Sequence, residues 1–342
     1  MGDSTVFFRV LEYDIGLKEL LIVVIIVLLP LLIWDPSSKR SGGGDGKSDI
    51  SVGLRREQAM SSTQTLVDLS KDDRILHPTE FRPFKVIKRK EESYNTILVT
   101  LEIPEKDRDL GLKIGRHVSV KADINGSKVI RAYTPTSHID AKGYFELLVK
   151  KYNDGKLSNY IWNCKVGSQI EVRGPVGRYK YEKNQYKKIG LLCAGSGLTP
   201  CLQVIRSVLE TPHGVGDATK FVLFFQNRTE KDILMRNVIE DLAIKYKDRL
   251  EVVFFLSNAS DRNWGIDYIS KGTSSKNLQE LVKSDKGAHH VRGYINQSTI
   301  RSYMRYDVCP MVGICGPSGF NDAMKVMLLD EGHDGDTSVY VW

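Results

Sequence analysis

Read by its apolar and polar positions, the chain falls into four stretches of different character. Residues 20–34, LLIVVIIVLLPLLIW, form an unbroken uncharged and almost wholly apolar run. From residue 36 to about 76 no apolar period survives, and SGGGDGKSD marks a polar, glycine-rich stretch that predicts a flexible tether. Between Phe84 and Tyr181 short runs alternate apolar with polar residues: FKVIKRK, TILVTLEI, HVSVKADI, KVIRAYT, YFELLVKKY and QIEVRG. Gly, Pro, Asp and Asn separate them, as at Asn125-Gly126. A period of two turns alternate side chains to one face, so this stretch predicts a β-barrel or sandwich. From Lys188 the pattern changes. Continuous apolar runs (KIGLLC, KFVLFFQ, LEVVFFL, PMVGIC, SVYVW) take turns with helix-like stretches, PCLQVIRSVLE, DILMRNVIEDLAIKY and Phe320 to Leu329. Alternating strands and helices predict a parallel sheet covered on both faces. The expected domains are therefore 1–35 with a membrane anchor at about 17–34, a linker over 36–77, a barrel over 78–185 and an α/β domain over 186–342. No internal repeat is present.

The first apolar run is shorter than the roughly 20 residues that cross a bilayer. Lys18 can snorkel, Ile15 to Leu17 can lengthen the span and Trp34 suits the interface, so a single membrane anchor is expected. A cleaved secretory signal is disfavoured, because no A-x-A-like site follows and Asp35-Pro36 opens a polar stretch. Lys39, Arg40, Lys47, Arg55 and Arg56 lie just downstream, which predicts that the large C-terminal part stays in the cytosol. MGDSTV has Val6 where a myristoylation pattern needs Ser or Thr, so the expected anchor is protein alone.

Composition changes this picture little, but charge does. A chain of 342 residues, 41% hydrophobic and 27% charged, has room for two cores. Its five cysteines form no C-x-x-C pair and its seven histidines no H-x-x-x-H pair. That predicts thiols of a reducing compartment, no disulfide framework and no protein-bound metal. The formal net charge of +7 is carried by residues 80–182, where 20 Lys and Arg face 13 Asp and Glu. Such a field attracts an acidic partner or an anionic surface. No Arg-rich run interleaved with aromatics occurs, so nucleic acid is not the expected partner.

Several short motifs concentrate unusual groups. In RAYTPTS, residues 131–137, strand alternation puts Arg131 and Tyr133 on one face and Pro135 stops the ladder. An edge strand leaving through a turn and a grip on an anion both explain it. GKLSNY, residues 155–160, opens a helix with Lys156 and Ser158 in its first turn, which suits either an anion or ordinary helix-start chemistry. AGSGLTP, residues 194–200, and CGPSGF, residues 315–320, each follow an apolar strand and open a helix. Both let backbone N–H groups approach a phosphate, although a tight turn explains each alone. Neither is a P-loop, since G-K-[ST] is absent. No His lies close in sequence to Cys315, so nothing there suggests a nucleophile. GPVGRY, residues 174–179, reads as a structural turn.

In order and spacing, RAYTPTS, ELLVKKY, GKLSNY, GPVGRY, AGSGLTP, QNRTEKDIL and CGPSGF resemble the NADH-cytochrome b5 reductases of the ferredoxin-NADP reductase superfamily. The resemblance covers residues 78–342. It implies an antiparallel Greek-key β-barrel for FAD, followed by a doubly wound parallel-sheet domain for the nicotinamide nucleotide. It makes Arg131 the flavin pyrophosphate clamp, with Ala132, Tyr133 and Thr134 along the isoalloxazine and ribityl region. Leu148 and Lys150 become flavin contacts, Lys150 also near the nicotinamide, and Asn153, Lys156, Leu157 and Ser158 the remaining ones. Thr199 resembles the threonine near the flavin ring, while Gly195, Gly197, Cys315, Gly316 and Pro317 resemble the nicotinamide pocket. Lys150, Thr199 and Cys315 would stand nearest the chemistry.

The resemblance further implies hydride transfer from NADH to FAD, then single electrons to an acidic haem protein such as cytochrome b5. The membrane would be the endoplasmic reticulum or the mitochondrial outer membrane, faced from the cytosol. Two departures matter. Asn258 stands where NADH-dependent members place an aspartate near the adenosine ribose, which opens the way to NADPH. His77-Pro78 is similar to the His-Pro of a haem-binding module, but Thr79 and Glu80 replace its glycines, so the haem belongs to a separate partner. The alternatives are a flavin reductase using NADPH or another acceptor such as a quinone, and a catalytically silent membrane scaffold.

Overall fold

The computed structural model describes residues 73–261, 264, 266–267 and 288–342. The expected anchor at 17–34, its basic flank and nearly all of the tether lie outside the described residues. Among those described, no helix is long and apolar enough to cross a membrane.

Six strands make the first sheet: β1 (Arg82–Ser93), β2 (Thr96–Glu102), β3 (His117–Ile124), β4 (Ser127–Tyr133), β5 (Tyr144–Lys150) and β6 (Gln169–Val176). Their order is β4-β3-β6-β1-β2-β5, and all neighbours are antiparallel. The last strand thus returns to lie between β3 and β1, as in a Greek key. β1 serves two partners: Arg82–Lys85 pair with β6 and the remainder with β2, with a register shift between Val86 and Lys88 that turns the corner. Asn125 and Gly126, at φ 53 and 74, make the two-residue turn that fixes the β3–β4 register. Beyond β4 the chain reaches across to the other edge, where Thr136 N–H donates to the Glu146 carbonyl at 2.9 Å. The segment RAYTPTS therefore closes the barrel.

Helix α1 (Lys156–Asn163) packs Leu157 and Ile161 into the barrel core. Packing starts ahead of residue 78, for Ile75 and Leu76 are buried in that core and Gly174 N–H donates to the His77 carbonyl. His77 Nδ1 accepts the Glu80 N–H at 2.9 Å, so the imidazole caps a turn.

Among the described residues the second sheet has seven strands: β7 (Lys188–Ala194), β8 (Lys220–Asn227), β9 (Leu250–Leu256), β10 (Ile266–Asp267), β11 (Ala288–Arg292), β12 (Met311–Cys315) and β13 (Val339–Val341). Their order is β10-β11-β9-β8-β7-β12-β13, and every pairing is parallel. Helices α2 (Leu198–Leu209), α3 (Arg236–Lys245), α4 (Gln297–Met304) and α5 (Ser318–Asp330) cover it. β8 shows why its sequence is apolar throughout: Phe221, Leu223 and Phe225 enter the core shared with α2 and α3, while Val222 and Phe224 enter the core shared with α4. Strand order reverses between β7 and β12. That is where such sheets leave a crevice at their carboxyl ends.

Two stretches differ from expectation. The helix expected over DILMRNVIEDLAIKY begins only at Arg236, because Thr229 and Asp232 close a capping box around a 3-10 turn and Met235 adopts φ 50. β11 and α4 escape a periodicity reading, since AHHVR and QSTIRSYM carry few apolar residues. α4 is set by its own capping box, with Asn296 Oδ1 accepting the Thr299 N–H.

Candidate functional site

A cleft of about 900 Å³ opens between the barrel and the carboxyl ends of β7 and β12. From β4 and its exit, Arg131, Ala132, Tyr133 and Thr134 line it. β5 contributes Leu148 and Lys150, and the start of α1 contributes Lys156, Leu157 and Ser158. Across the cleft stand Gly197 and Thr199 from the β7–α2 turn, and Cys315, Gly316 and Pro317 from the β12–α5 turn. Two expected residues are not on its wall. Asn153 yields to its neighbour Asp154, and Gly195 sits behind Ser196, where its φ of 54 bends the chain out of β7.

The barrel wall has the chemistry of an anion cradle. Gly155 caps α1 without a side chain, so the helix start keeps free N–H donors. A Cβ on Gly155 would fall 2.2 Å from Ser158 Oγ, which therefore requires the glycine. Lys156, Lys128 and the exposed Arg131 stand around this helix start. Arg131 Nη1 donates to the Ile130 carbonyl, and among the described residues no carboxylate pairs with any of the three cations. Lys150 differs, with its Nζ 3.8 Å from Asp232 Oδ1. Asp232 also accepts from Tyr94 Oη at 2.9 Å and from Thr229 Oγ1 at 2.7 Å. Burial alone would raise its carboxyl, but the bonds from Thr229 and Tyr94 and the charge of Lys150 outweigh that and hold it below its ordinary value.

Burial, with Tyr152 beside it, pushes the Tyr133 phenol up to about 12, so it remains a hydrogen-bond donor at neutral pH. On the opposite wall burial pushes the Cys315 thiol up to about 12 and nearby Cys201 adds to it. Burial thus favours a protonated Cys315 thiol on the cleft wall, which is the weakly nucleophilic form. Gly197 brings two backbones together: a Cβ there would stand 2.0 Å from the Cys315 carbonyl oxygen.

Several lining residues escape a reading by motif. His117 opens β3 beside Val118, the register partner of Tyr133, and its imidazole is lowered first by burial and then by Arg116. The hairpin register fixed by Asn125-Gly126 is a signal that could have found it. Tyr152 Oη and Ser196 Oγ share a hydrogen bond of 2.8 Å across the cleft. Trp342 lines the cleft and its Nε1 donates to the Gly115 carbonyl at 3.0 Å. No local pattern marks these contacts, because their partners are distant in sequence.

Uncapped helix donors, unpaired cations, hydroxyls and two glycine turns on one cavity fit a flavin dinucleotide and a nicotinamide nucleotide together. Comparison with known proteins agrees. Residues 83–181 match the oxidoreductase FAD-binding domain, and residues 191–291 match the oxidoreductase NAD-binding domain. NADH-cytochrome b5 reductase 1 of Cryptococcus neoformans is 34% identical over 273 residues, covering 79% of this chain and 85% of that protein. The protein of the same name from Mycosarcoma maydis is 38% identical over 221 residues, covering 64% of this chain and 67% of that one. Among solved structures, the cytochrome b5 reductase domain of Ulva prolifera nitrate reductase superposes with a TM-score of 0.67 at 25% identity, over 79% of this chain and all of that one. With both cofactor domains matched and identity of this extent across the barrel and the α/β domain, the chain belongs to the NADH-cytochrome b5 reductase family of FAD- and NADH-dependent oxidoreductases.

Proposed function

We propose that this chain is a membrane-anchored reductase that takes hydride from NADH and delivers electrons singly, through FAD, to cytochrome b5. The observation that carries the reading is the shared cavity: the anion cradle of the barrel and the glycine turns of the α/β domain open into the same space. When bound, FAD supplies the step from a two-electron donor to a one-electron acceptor. The protein's residues bind and orient. Arg131, Lys156 and the start of α1 hold the pyrophosphate, and Thr134, Leu148, Lys150 and Thr199 flank the ring. Gly197, Cys315 and Pro317 admit the nicotinamide, which a protonated thiol allows without competing chemistry. Anchoring rests on the apolar run 20–34 and its basic flank, with the endoplasmic reticulum or mitochondrial outer membrane as the site. The excess of Lys and Arg over residues 80–182 favours an acidic haem protein as acceptor.

Anaerobic addition of NADH should bleach the visible flavin absorbance, and ferric cytochrome b5 should then restore it. A bleached flavin that ferric cytochrome b5 fails to reoxidise overturns the acceptor. Full-length protein extracted from membranes by alkali alone overturns the anchor.

A second reading, use of NADPH, is favoured by one feature. The backbone N–H of Asn258 donates to the Arg228 carbonyl at 2.8 Å, which brings the two exposed residues together at neighbouring strand ends. An arginine near this strand end can accept a 2′-phosphate. Asn258→Asp should then lower efficiency with NADPH about tenfold, the worth of roughly 1.4 kcal/mol of repulsion. Unchanged relative rates with NADH and NADPH remove Asn258 from nucleotide selection.

A further inference from the structure

Helix α2 is buried along nearly its whole length, yet it carries a polar stripe. Thr199, Gln203, Arg206 and its C-cap Glu210 recur at helical spacing and share one face. That face meets the barrel. Gln203, 1% exposed, accepts the Gly115 N–H on Oε1 at 2.8 Å and donates from Nε2 to the Arg116 carbonyl at 2.9 Å. Further along, Arg206 Nη1 donates to the Thr136 carbonyl at 2.6 Å, Nη2 meets His138 Nε2, and Nε donates to Glu210 at 2.9 Å. Residues 115–116 lead directly into His117 of the cleft wall, and Thr136 follows Thr134 of the same wall. At its other end α2 emerges from Gly197, pressed against the Cys315 carbonyl.

A stripe of Leu and Met would bury as well, and a satisfied buried polar group adds little net stability over an apolar one of its shape. What an amide paired to both sides of a backbone adds is register, since an apolar face can slide and a two-point hydrogen bond cannot. We infer that Gln203 and Arg206 are positioning residues: they fix the glycine turns of the α/β domain against strands β3 and β4, and so align the nicotinamide with the flavin. This rests on the reading that both groups share the cleft. Hydride transfer needs reacting atoms about 3–3.5 Å apart, and a slip of about 1 Å costs on the order of 100-fold.

The test uses the full-length holoprotein and the variants Gln203→Leu, Arg206→Met and Arg206→Lys. FAD content and melting temperature report folding. Calorimetric titration with NAD+ reports binding without turnover, and amide exchange at Gly115 reports the clamp. Anaerobic mixing with NADH gives the reductive rate, and ferricyanide added to prereduced protein gives the oxidative rate. The expected result is full FAD content, faster exchange at Gly115 in Gln203→Leu, and a reductive rate lowered on the order of 10- to 100-fold with the oxidative rate unchanged. The isotope effect with 4-deuterated NADH should rise, and Arg206→Lys should recover part of the rate. A lower melting temperature with reductive rates and NAD+ affinity of the wild type overturns the inference and leaves Gln203 and Arg206 as glue. Should Gln203→Leu fail to fold, Arg206→Met at the rim of the contact decides alone. Wild-type flavin that NADH does not bleach overturns the functional reading instead.

Discussion

The barrel side of the cleft presents Lys128, Arg131, Lys150 and Lys156, whereas the α/β side presents Ser196, Gly197, Thr199, Cys315, Gly316 and Pro317 and, among the described residues, no charged side chain. One wall holds by charge and helix donors, the other by letting backbone come close. Charge suits a group that stays bound, because charge-assisted bonds are about twice as strong as neutral ones. Close backbone approach suits one that must leave after each turnover, because it selects by shape.

This contrast can be broken from either side. The largest effect should come from Gly197→Ala, whose new Cβ would meet the Cys315 carbonyl at 2.0 Å, with backbone on both sides and nothing to move aside. Reduction by NADH should fall at least about 100-fold while FAD stays bound, read as flavin absorbance that persists after NADH is added. Loss of FAD in this variant would show that the walls do not divide the work. Next comes Arg131→Ala. Removing one charge-assisted contact costs about 1.5–3 kcal/mol, or roughly 10- to 150-fold in FAD affinity. The purified protein should be flavin-poor, and added salt should weaken FAD binding in the wild type more than in the variant. Full FAD occupancy in 1 M salt would refute the clamp.

The smallest effect concerns Lys150, which Asp232 of the other domain partly neutralises. Because the folded Asp232 carboxyl lies below its ordinary value, its contribution is present above the unfolded pKa of about 3.9 and is lost as pH falls through the lower folded value. Asp232→Asn should cost about 1–2 kcal/mol at pH 7. Denaturant midpoints of the two proteins should converge as pH drops below about 4. A gap that persists under acid would mean that the lost bonds to Thr229 and Tyr94, rather than the charge, set the cost.

Much of the site was legible because the motifs are local. Strand alternation put Arg131 and Tyr133 on one face, and the glycine turns at 194–200 and 315–320 follow directly from the apolar strands that precede them. The order of barrel, then α/β domain, followed from a period of two giving way to continuous apolar runs. What stayed hidden depends on distant chain segments meeting. Trp342 reaches Gly115 and Tyr152 reaches Ser196. α3 was read too long for a different reason: ILM suits a helix, but the local capping box of Thr229 and Asp232 and the left-handed Met235 interrupt it. Gln203 is a polar residue in an apolar helix, and only the fold shows what it clasps.

Thr136 joins two structures through the backbone of one residue, since its N–H closes the barrel onto Glu146 and its carbonyl receives Arg206. Its own hydroxyl is buried with no partner among the described residues. The segment from Tyr133 to His138 should therefore be sensitive to length and indifferent to spelling at this position. Thr136→Val exchanges an idle hydroxyl for a methyl, but one residue inserted or removed beside it would misplace both domains at once.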